Sequence, residues 1–359
     1  HTRSYGDWVQ TCALPIWGGD IDTIKNINAN HVIRDTSSTK SKFSLNVINS
    51  LILNNAAKIL NKTKKFSYKE WNHSDKKYLY NWCNVFEKKE TDDHLSADEK
   101  VLTNKRFDEY KYEINYFKEK FKFIMNKKTW VKRQLSGEDI DLDTIIDNYR
   151  HVKDNSFNKI YKHKKNTQKD MCVTILFDSS LSTDSYINNN KTLDLLKNLT
   201  FILASGLSDS IKNFSVATFY SNTRHDCRYI IIKDFNDSWN KNKYVIDKIT
   251  PNGYTRIGPA IRHATYKLKK IKTKQKIIIL LSDGKPTDYD EYEGVYGIND
   301  VKRSIDEARK DKVHVKSIIV DSSSASYLQK MFGSNDYHLI LEKKRINSTF
   351  IELFTSLKS

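Results

Sequence analysis

The chain has 359 residues, of which 38% are hydrophobic and 12% aromatic. A polypeptide of this length and composition can bury the cores of about two ordinary domains, which excludes a wholly disordered chain. The longest apolar run, Ile277–Leu281, is far shorter than the ~18 residues that a membrane-spanning helix needs. We therefore expect no membrane insertion.

The formal net charge of +17 raises the possibility of a nucleic-acid partner. A nucleic-acid footprint normally concentrates positive charge on one face and adds aromatic side chains for stacking. Here the excess is spread over both halves of the chain, and the densest basic runs, Lys162–Lys169 and Lys267–Lys276, contain no Phe, Trp or Tyr. We interpret the charge as a solvated basic surface and expect no nucleic-acid partner.

Residues 1–17 are interpreted as a translated sequencing adaptor. Val9–Ile16 reads Val-Gln-Thr-Cys-Ala-Leu-Pro-Ile, which is the translation of a common sequencing-library adaptor. Such a segment has no part in the fold, as with an expression scar, and we expect this chain to lack the N-terminal part of the natural protein.

The remaining cysteines, Cys83, Cys172 and Cys227, are far apart and form no Cys-x-x-Cys pair. This pattern favours reduced thiols in a cytoplasmic protein over a disulfide framework or a zinc site. Cys172 begins an apolar run, so we expect it in the core.

Residues 18–166 have a polar, helical pattern and are expected to form a mainly helical N-terminal region. Amphipathic helices are predicted at Phe43–Leu60 and within Asp98–Met125. The second segment carries an aromatic-rich stripe that we interpret as a helix-packing face: Phe107, Tyr110, Ile114, Phe117 and Phe121.

The end of this region holds two further features. Asp139, Asp141 and Asp143 alternate, but the segment lacks the glycine and closing glutamate of a calcium loop, so we predict an acidic helix start. Lys162–Lys169 is interpreted as a basic linker.

Residues 167–359 alternate short buried strands with helices and are expected to form a second domain. This rhythm predicts an α/β fold, a doubly wound and mostly parallel sheet with helices on both faces. The predicted strands are Cys172–Phe177, Phe214–Tyr220, Tyr229–Ile232, Ile277–Leu281, Val313–Val320 and Tyr337–Leu341. The predicted helices are Thr192–Ala204, Gly258–Ile271, Asp300–Lys310 and Ile346–Leu357.

Ligands of such sheets bind beyond the carboxyl ends of the strands. Asp178, Ser180 and Ser182 follow the first strand in an Asp-x-Ser-x-Ser pattern, Asp283 follows Ile277–Leu281, and Thr255 precedes a helix. Alternate residues of an extended segment face the same side, so the first three can converge on one point. Three hydroxyls and two carboxylates make an oxygen-only site suited to a hard cation such as Mg²⁺ or Mn²⁺.

This arrangement resembles the metal-ion-dependent adhesion site of von Willebrand factor A domains. The resemblance implies that Ser180, Ser182 and Thr255 are hydroxyl ligands, that Asp178 and Asp283 act largely through bound waters, and that an acidic residue of a target protein completes the coordination. Because the hydroxyl ligands are neutral, the ion keeps positive charge that attracts such a carboxylate.

Longer motifs extend the resemblance to von Willebrand A proteins of the NorD and CbbO type. Gly253–Gly258 and Ser282–Asp290 follow the first motif in order, and Trp130–Asp143 is similar more weakly. Tyr68–Asn72 departs from the family's Tyr-Pro-Glu-Trp-Asp, which leaves the subgroup open. The resemblance implies a non-enzymatic adaptor between a MoxR-type AAA+ ATPase and a target complex, either nitric oxide reductase during maturation or Rubisco during reactivation.

Two alternatives stay open from the residues themselves: a stand-alone metal-dependent adhesion or scaffold domain, and a Mg²⁺-dependent phosphohydrolase. The second is disfavoured because the general acid expected two residues after Asp178 is replaced by Ser180. No phosphate-binding Gly-rich loop or nucleophile elbow is present. His263 is a conceivable base, but it lies on the opposite side of its helix from Ile261 and is expected to be exposed.

Overall fold

The computed structural model describes residues 63–91, 97–150, 159–187, 190–321, 325–340 and 345–356. Leu60–Ser359 form one compact unit. The adaptor segment, residues 1–17, and the helix predicted at Phe43–Leu60 lie outside the described residues.

An eight-stranded sheet forms the centre of this unit. Its strands are β1 Lys64–Asn72, β2 Lys77–Lys89, β6 Met171–Asp178, β9 Phe214–Thr223, β10 Asp226–Lys233, β11 Gln275–Ser282, β12 Val313–Ile319 and β13 Tyr337–Leu339. Their order in the sheet is β1-β2-β10-β9-β6-β11-β12-β13. Five of its seven strand pairs are parallel; β1–β2 and β9–β10 are antiparallel.

Helices cover both faces of this sheet. They are α1 Ala97–Glu109, α2 Lys111–Met125, α3 Leu142–Arg150, α4 Thr192–Leu207, α5 Trp239–Asn242, α6 Ile257–Lys269, α7 Gly294–Lys310, α8 Ala325–Phe332 and α9 Ile346–Thr355. Within the described part of the chain, no helix is long and apolar enough to cross a membrane.

The alternation of side chains along β6 shows how the layers are built. Val173 and Ile175 belong to the hydrophobic cluster that contains α2, α4 and α9. Cys172 and Leu176 belong to the cluster on the opposite face, with α6, α7 and α8. Because both faces are buried, the strand is a continuous apolar run, as parallel strands between two helix layers are. The predicted α/β class is confirmed.

The segment before the predicted boundary at residue 167 differs from the expected helical region. Strands β1 and β2 form a hairpin whose second strand pairs in parallel with β10, extending the main sheet. The aromatic and period-two pattern of Tyr78–Val85 is a strand signal that the sequence analysis did not use. The prediction of a helical segment is therefore wrong for residues 64–89.

Helix α2 confirms the predicted packing stripe for Ile114, Phe117 and Phe121, whereas Phe107 lies on α1 and is exposed. Its side chains Phe117 and Phe121 are fully buried, and their rings lie 5.4 Å from Phe350 and 4.7 Å from Phe354 of α9, respectively. The aromatic residues of the N-terminal region thus complete one hydrophobic core with the C-terminal helix. The described residues between 63 and 166 therefore belong to the same compact unit as the predicted second domain.

A small three-stranded sheet, β3 Asn126–Gln134, β4 Asp139–Ile140 and β5 Tyr161–Gln168, lies between α2 and β6 in the chain. The run predicted as a basic linker, Lys162–Lys169, is mostly strand β5. The acidic helix start is confirmed, since Asp141 accepts a hydrogen bond from the Thr144 hydroxyl (2.6 Å) at the beginning of α3. A further short pair, β7 Tyr186–Ile187 and β8 Asn190–Lys191, precedes α4.

Candidate metal site

The first part of the predicted site is the turn that follows β6. Asp178 is fully buried, and its carboxylate accepts a hydrogen bond from the backbone N–H of Ser180 (2.8 Å). This contact folds the chain back so that the Ser180 and Ser182 hydroxyl oxygens lie 2.9 Å apart. Ser180 is buried and Ser182 is exposed, so the pair leads from the interior to the surface.

The second part is the turn after β11, which is adjacent to β6 in the sheet. Ser282 donates a hydrogen bond to Asp178 (3.1 Å) and contacts Asp283 (3.4 Å), so one hydroxyl bridges both carboxylates. The hydroxyl of Ser182 also hydrogen-bonds Asp283. The structure therefore brings Asp178, Ser182 and Asp283 together, and it adds Ser282, which the sequence analysis did not identify as a site residue.

The third part is the loop that carries Thr255. Its backbone is held against the first turn by hydrogen bonds from Asn252 N–H to Ser179 carbonyl (2.8 Å) and from Leu181 N–H to Gly253 carbonyl (2.9 Å). Thr255 is 1% exposed and exchanges backbone hydrogen bonds with Thr287, which follows the Asp283 turn. The three predicted segments thus meet at one edge of the sheet.

Two buried carboxylates close together are electrostatically costly unless they are neutralised. Burial, and then the charge of Asp283, raises the pKa of Asp178 to about 7. Burial also raises the pKa of Asp283, and the charge of Asp321, just after β12, contributes. Within the described ranges no basic side chain forms an ion pair with Asp178. A divalent cation would supply the missing positive charge, and the donor set, which consists only of carboxylate and hydroxyl oxygens, fits Mg²⁺ or Mn²⁺.

The residue after Thr255 ties the site to the N-terminal hairpin. The Arg256 guanidinium is 2.7 Å from Glu70 of β1 and 2.7 Å from Asp288, with all three side chains at most 1% exposed. Asp290, partly exposed, lies 3.4 Å from the same guanidinium. Sequence analysis missed this cluster because Glu70 is far from Arg256 in the chain.

The prediction that His263 is exposed is wrong. Its ring is fully buried, with Nδ1 2.9 Å from the Tyr68 hydroxyl and Nε2 3.0 Å from Glu87. Burial lowers the pKa of His263, and the Glu87 carboxylate opposes that shift. The residue lies on the side of α6 that faces the hairpin. There it is part of the core, and both of its ring nitrogens have hydrogen-bond partners.

Three of the cysteines lie in the described part of the chain. Cys83, Cys172 and Cys227 are free and buried. Burial raises the pKa of Cys172 to about 12, which keeps its thiol protonated. Cys172 packs in the core, as expected.

Comparisons with a family model and with curated proteins give matches to this chain. Residues 173–354 match the family model of the von Willebrand factor type A domain. Protein NorD of Brucella melitensis biotype 1 is 31% identical over 285 residues, which cover 77% of this chain and 43% of that protein. Protein NorD of Stutzerimonas stutzeri is 29% identical over 229 residues, covering 63% and 37%, respectively. The chain therefore spans less than half the length of these curated relatives.

A solved structure of proximal thread matrix protein 1 from the mussel byssus, with a zinc-occupied MIDAS motif, is similar in fold. Its TM-score is 0.41 with 22% identity, over 52% of this chain and 46% of that one.

Proposed function

Because this chain belongs to the von Willebrand factor type A domain family and is of the NorD type, we propose that it is a non-enzymatic, divalent-cation-dependent protein-binding adaptor. The observation that carries the proposal is the convergence of two buried carboxylates and the Ser180–Ser182 hydroxyl pair at the carboxyl ends of β6 and β11. Such a cluster is stable with a cation and costly without one.

In this proposal Ser180, Ser182 and Thr255 hold Mg²⁺ or Mn²⁺ through their hydroxyl oxygens. Asp178 and Asp283 contribute negative charge behind them. Ser182 is exposed while Ser180 and Thr255 are buried, so the open side of the ion faces solvent. An acidic residue of a target protein would bind from that side, because carboxylate oxygens are preferred ligands of these cations.

The NorD-type relationship extends the proposal to partners. A MoxR-type AAA+ ATPase would provide the energy for remodelling. This chain would connect that ATPase to a target complex, such as nitric oxide reductase during maturation. All five residues proposed for the metal site lie within residues 173–354, the range that matches the family model. We place the adaptor in the cytoplasm, where such an ATPase acts, and a CbbO-like role in Rubisco activation is the corresponding alternative target.

The test is a thermal melt of the chelated protein with and without added Mg²⁺ or Mn²⁺. A cation that binds only the folded state stabilises it by about 2.7 kcal/mol at roughly 100 times its Kd, which is a shift of several degrees. Asp178→Asn should abolish the shift. Asp184→Asn is the matched control, because Asp184 pairs with Lys191 at the surface nearby (3.0 Å).

Equal melting temperatures with and without cation would refute the metal site. A pull-down with a MoxR-type ATPase tests the partner separately; failure to recover the ATPase in cation-containing buffer would favour a stand-alone adhesion or scaffold domain. If the protein hydrolysed a phosphate ester and Asp178→Asn lost that activity, the phosphohydrolase alternative would be favoured over the adaptor.

A further inference from the structure

A groove runs across helix α7, between the turn of the β1–β2 hairpin and helix α8. It consists of a cavity of about 450 Å³ against the hairpin turn and a second cavity of about 190 Å³ against α8. Lys302 and Asp306 line both cavities, so the two cavities adjoin each other on α7. We call it the α7 groove.

Positive charge dominates the α7 groove. Lys76, Lys302 and Arg303 line the larger cavity, and Lys330 lines the smaller one. Among the described residues, no carboxylate forms an ion pair with any of these four side chains. The acidic lining residue, Asp306, is 3.3 Å from Arg309. The groove therefore keeps uncompensated positive charge that attracts an anionic partner.

The larger cavity is held in shape by contacts that cross from the hairpin to α7. The backbone N–H of Trp71 donates a hydrogen bond to Asp300 (2.9 Å), and the Arg303 guanidinium lies 4.3 Å from the centre of the Trp71 ring. Tyr78 packs edge-on against the same ring at 4.9 Å. A preorganised binding surface loses little conformational entropy when a ligand binds.

We infer that the α7 groove binds an extended acidic segment of a partner protein. Two adjoining cavities fit a peptide chain rather than a single small anion, and the four unpaired cations fit acidic side chains. The smaller cavity is also lined by Ile305, Met331 and Phe332, which provide an apolar floor.

A nucleic acid fits the groove less well. Single-stranded nucleic acids bind to exposed aromatic faces on which bases stack. The one tryptophan that lines the described groove, Trp71, is already covered by Arg303. The inference goes beyond the proposed function, because the groove contains none of the proposed metal ligands and its binding needs no cation.

The experiment measures the anisotropy of a fluorescein-labelled polyglutamate peptide as the whole chain is titrated in, with chelator present. The test variant is Lys302→Gln/Arg303→Gln, and the control is Lys272→Gln/Lys310→Gln, which removes the same charge at exposed positions outside the groove. We expect binding that weakens with added salt. The test variant should lose about tenfold in affinity, as two exposed ion pairs predict, and the control should change by less than about twofold.

No binding of the peptide to the unmodified chain, or equal weakening in both double variants, would overturn the inference. A labelled poly(dT) strand that binds more tightly than the peptide, and loses affinity only in the test variant, would overturn it in favour of a nucleic-acid surface. Chelator is present in every peptide titration. A negative result in this experiment therefore does not bear on the proposed metal site, and a negative result in the melting experiment does not bear on peptide binding.

Discussion

Replacement of Arg256 by methionine tests the connection between the hairpin and the metal-site loop. The guanidinium neutralises Glu70 and Asp288, each at 2.7 Å and each at most 1% exposed. Methionine fills much of the volume but leaves both carboxylates buried without a cation. Removing one partner of a buried ion pair costs about 3–5 kcal/mol. An ordinary domain is stable by about 5–15 kcal/mol, so we expect a folded variant with a small margin of stability.

The loss should depend on pH in a defined direction. Burial raises the pKa of Glu70 even though Arg256 lowers it, so removing Arg256 raises it further. A carboxylate whose pKa is higher in the folded than in the unfolded state binds more protons when folded, and stability then falls as pH rises through that interval. The deficit of Arg256→Met should therefore be greater at pH 8 than at pH 5.

Urea unfolding at these two pH values measures both effects. The control is Lys269→Met, which breaks a surface pair with Asp311 (2.9 Å, side chains 53% and 38% exposed) and should cost about 0–1 kcal/mol. If Arg256→Met lost no more stability than this control, or if its deficit increased on acidification, the assignment of Arg256 as the counterion of the buried carboxylates would be wrong.

Two further predictions concern the loop and the domain boundary. Gly253 has φ +60°, and a Cβ there would clash with the Ser221 carbonyl oxygen, so Gly253→Ala should cost about 1–3 kcal/mol and weaken the response to cation. Gly294→Ala, at φ +54° with open space around it, should cost less, and equal urea midpoints for the two variants would contradict this. A fragment of residues 167–359 lacks β1, β2 and α2, so we expect it to be less stable than a fragment of residues 60–359, or insoluble. If both fragments unfolded cooperatively at the same urea midpoint, the hairpin and α2 would contribute nothing to stability.

The sequence by itself determined six of the eight strands of the central sheet, β6 and β9 to β13, and the place of the candidate site. Parallel strands buried on both faces must be continuous apolar runs, and residues 277–281 could be recognised without any tertiary information. The polar residues that follow such runs must lie at the carboxyl edge of the sheet. This is why Asp178, Ser180 and Asp283 could be chosen before their contacts were seen.

Only the tertiary structure decided what covers the second side of each element. The helical period places His263 opposite Ile261, but it does not say whether that side meets water or protein; here Tyr68 and Glu87 of the hairpin cover it. The same holds for Arg256 and Glu70, 186 residues apart, which pair only because β2 adds to the sheet beside β10. A local sequence pattern predicts which face of a segment is apolar and which is polar. Whether the polar face is buried depends on a distant segment that supplies its hydrogen-bond or ion-pair partners.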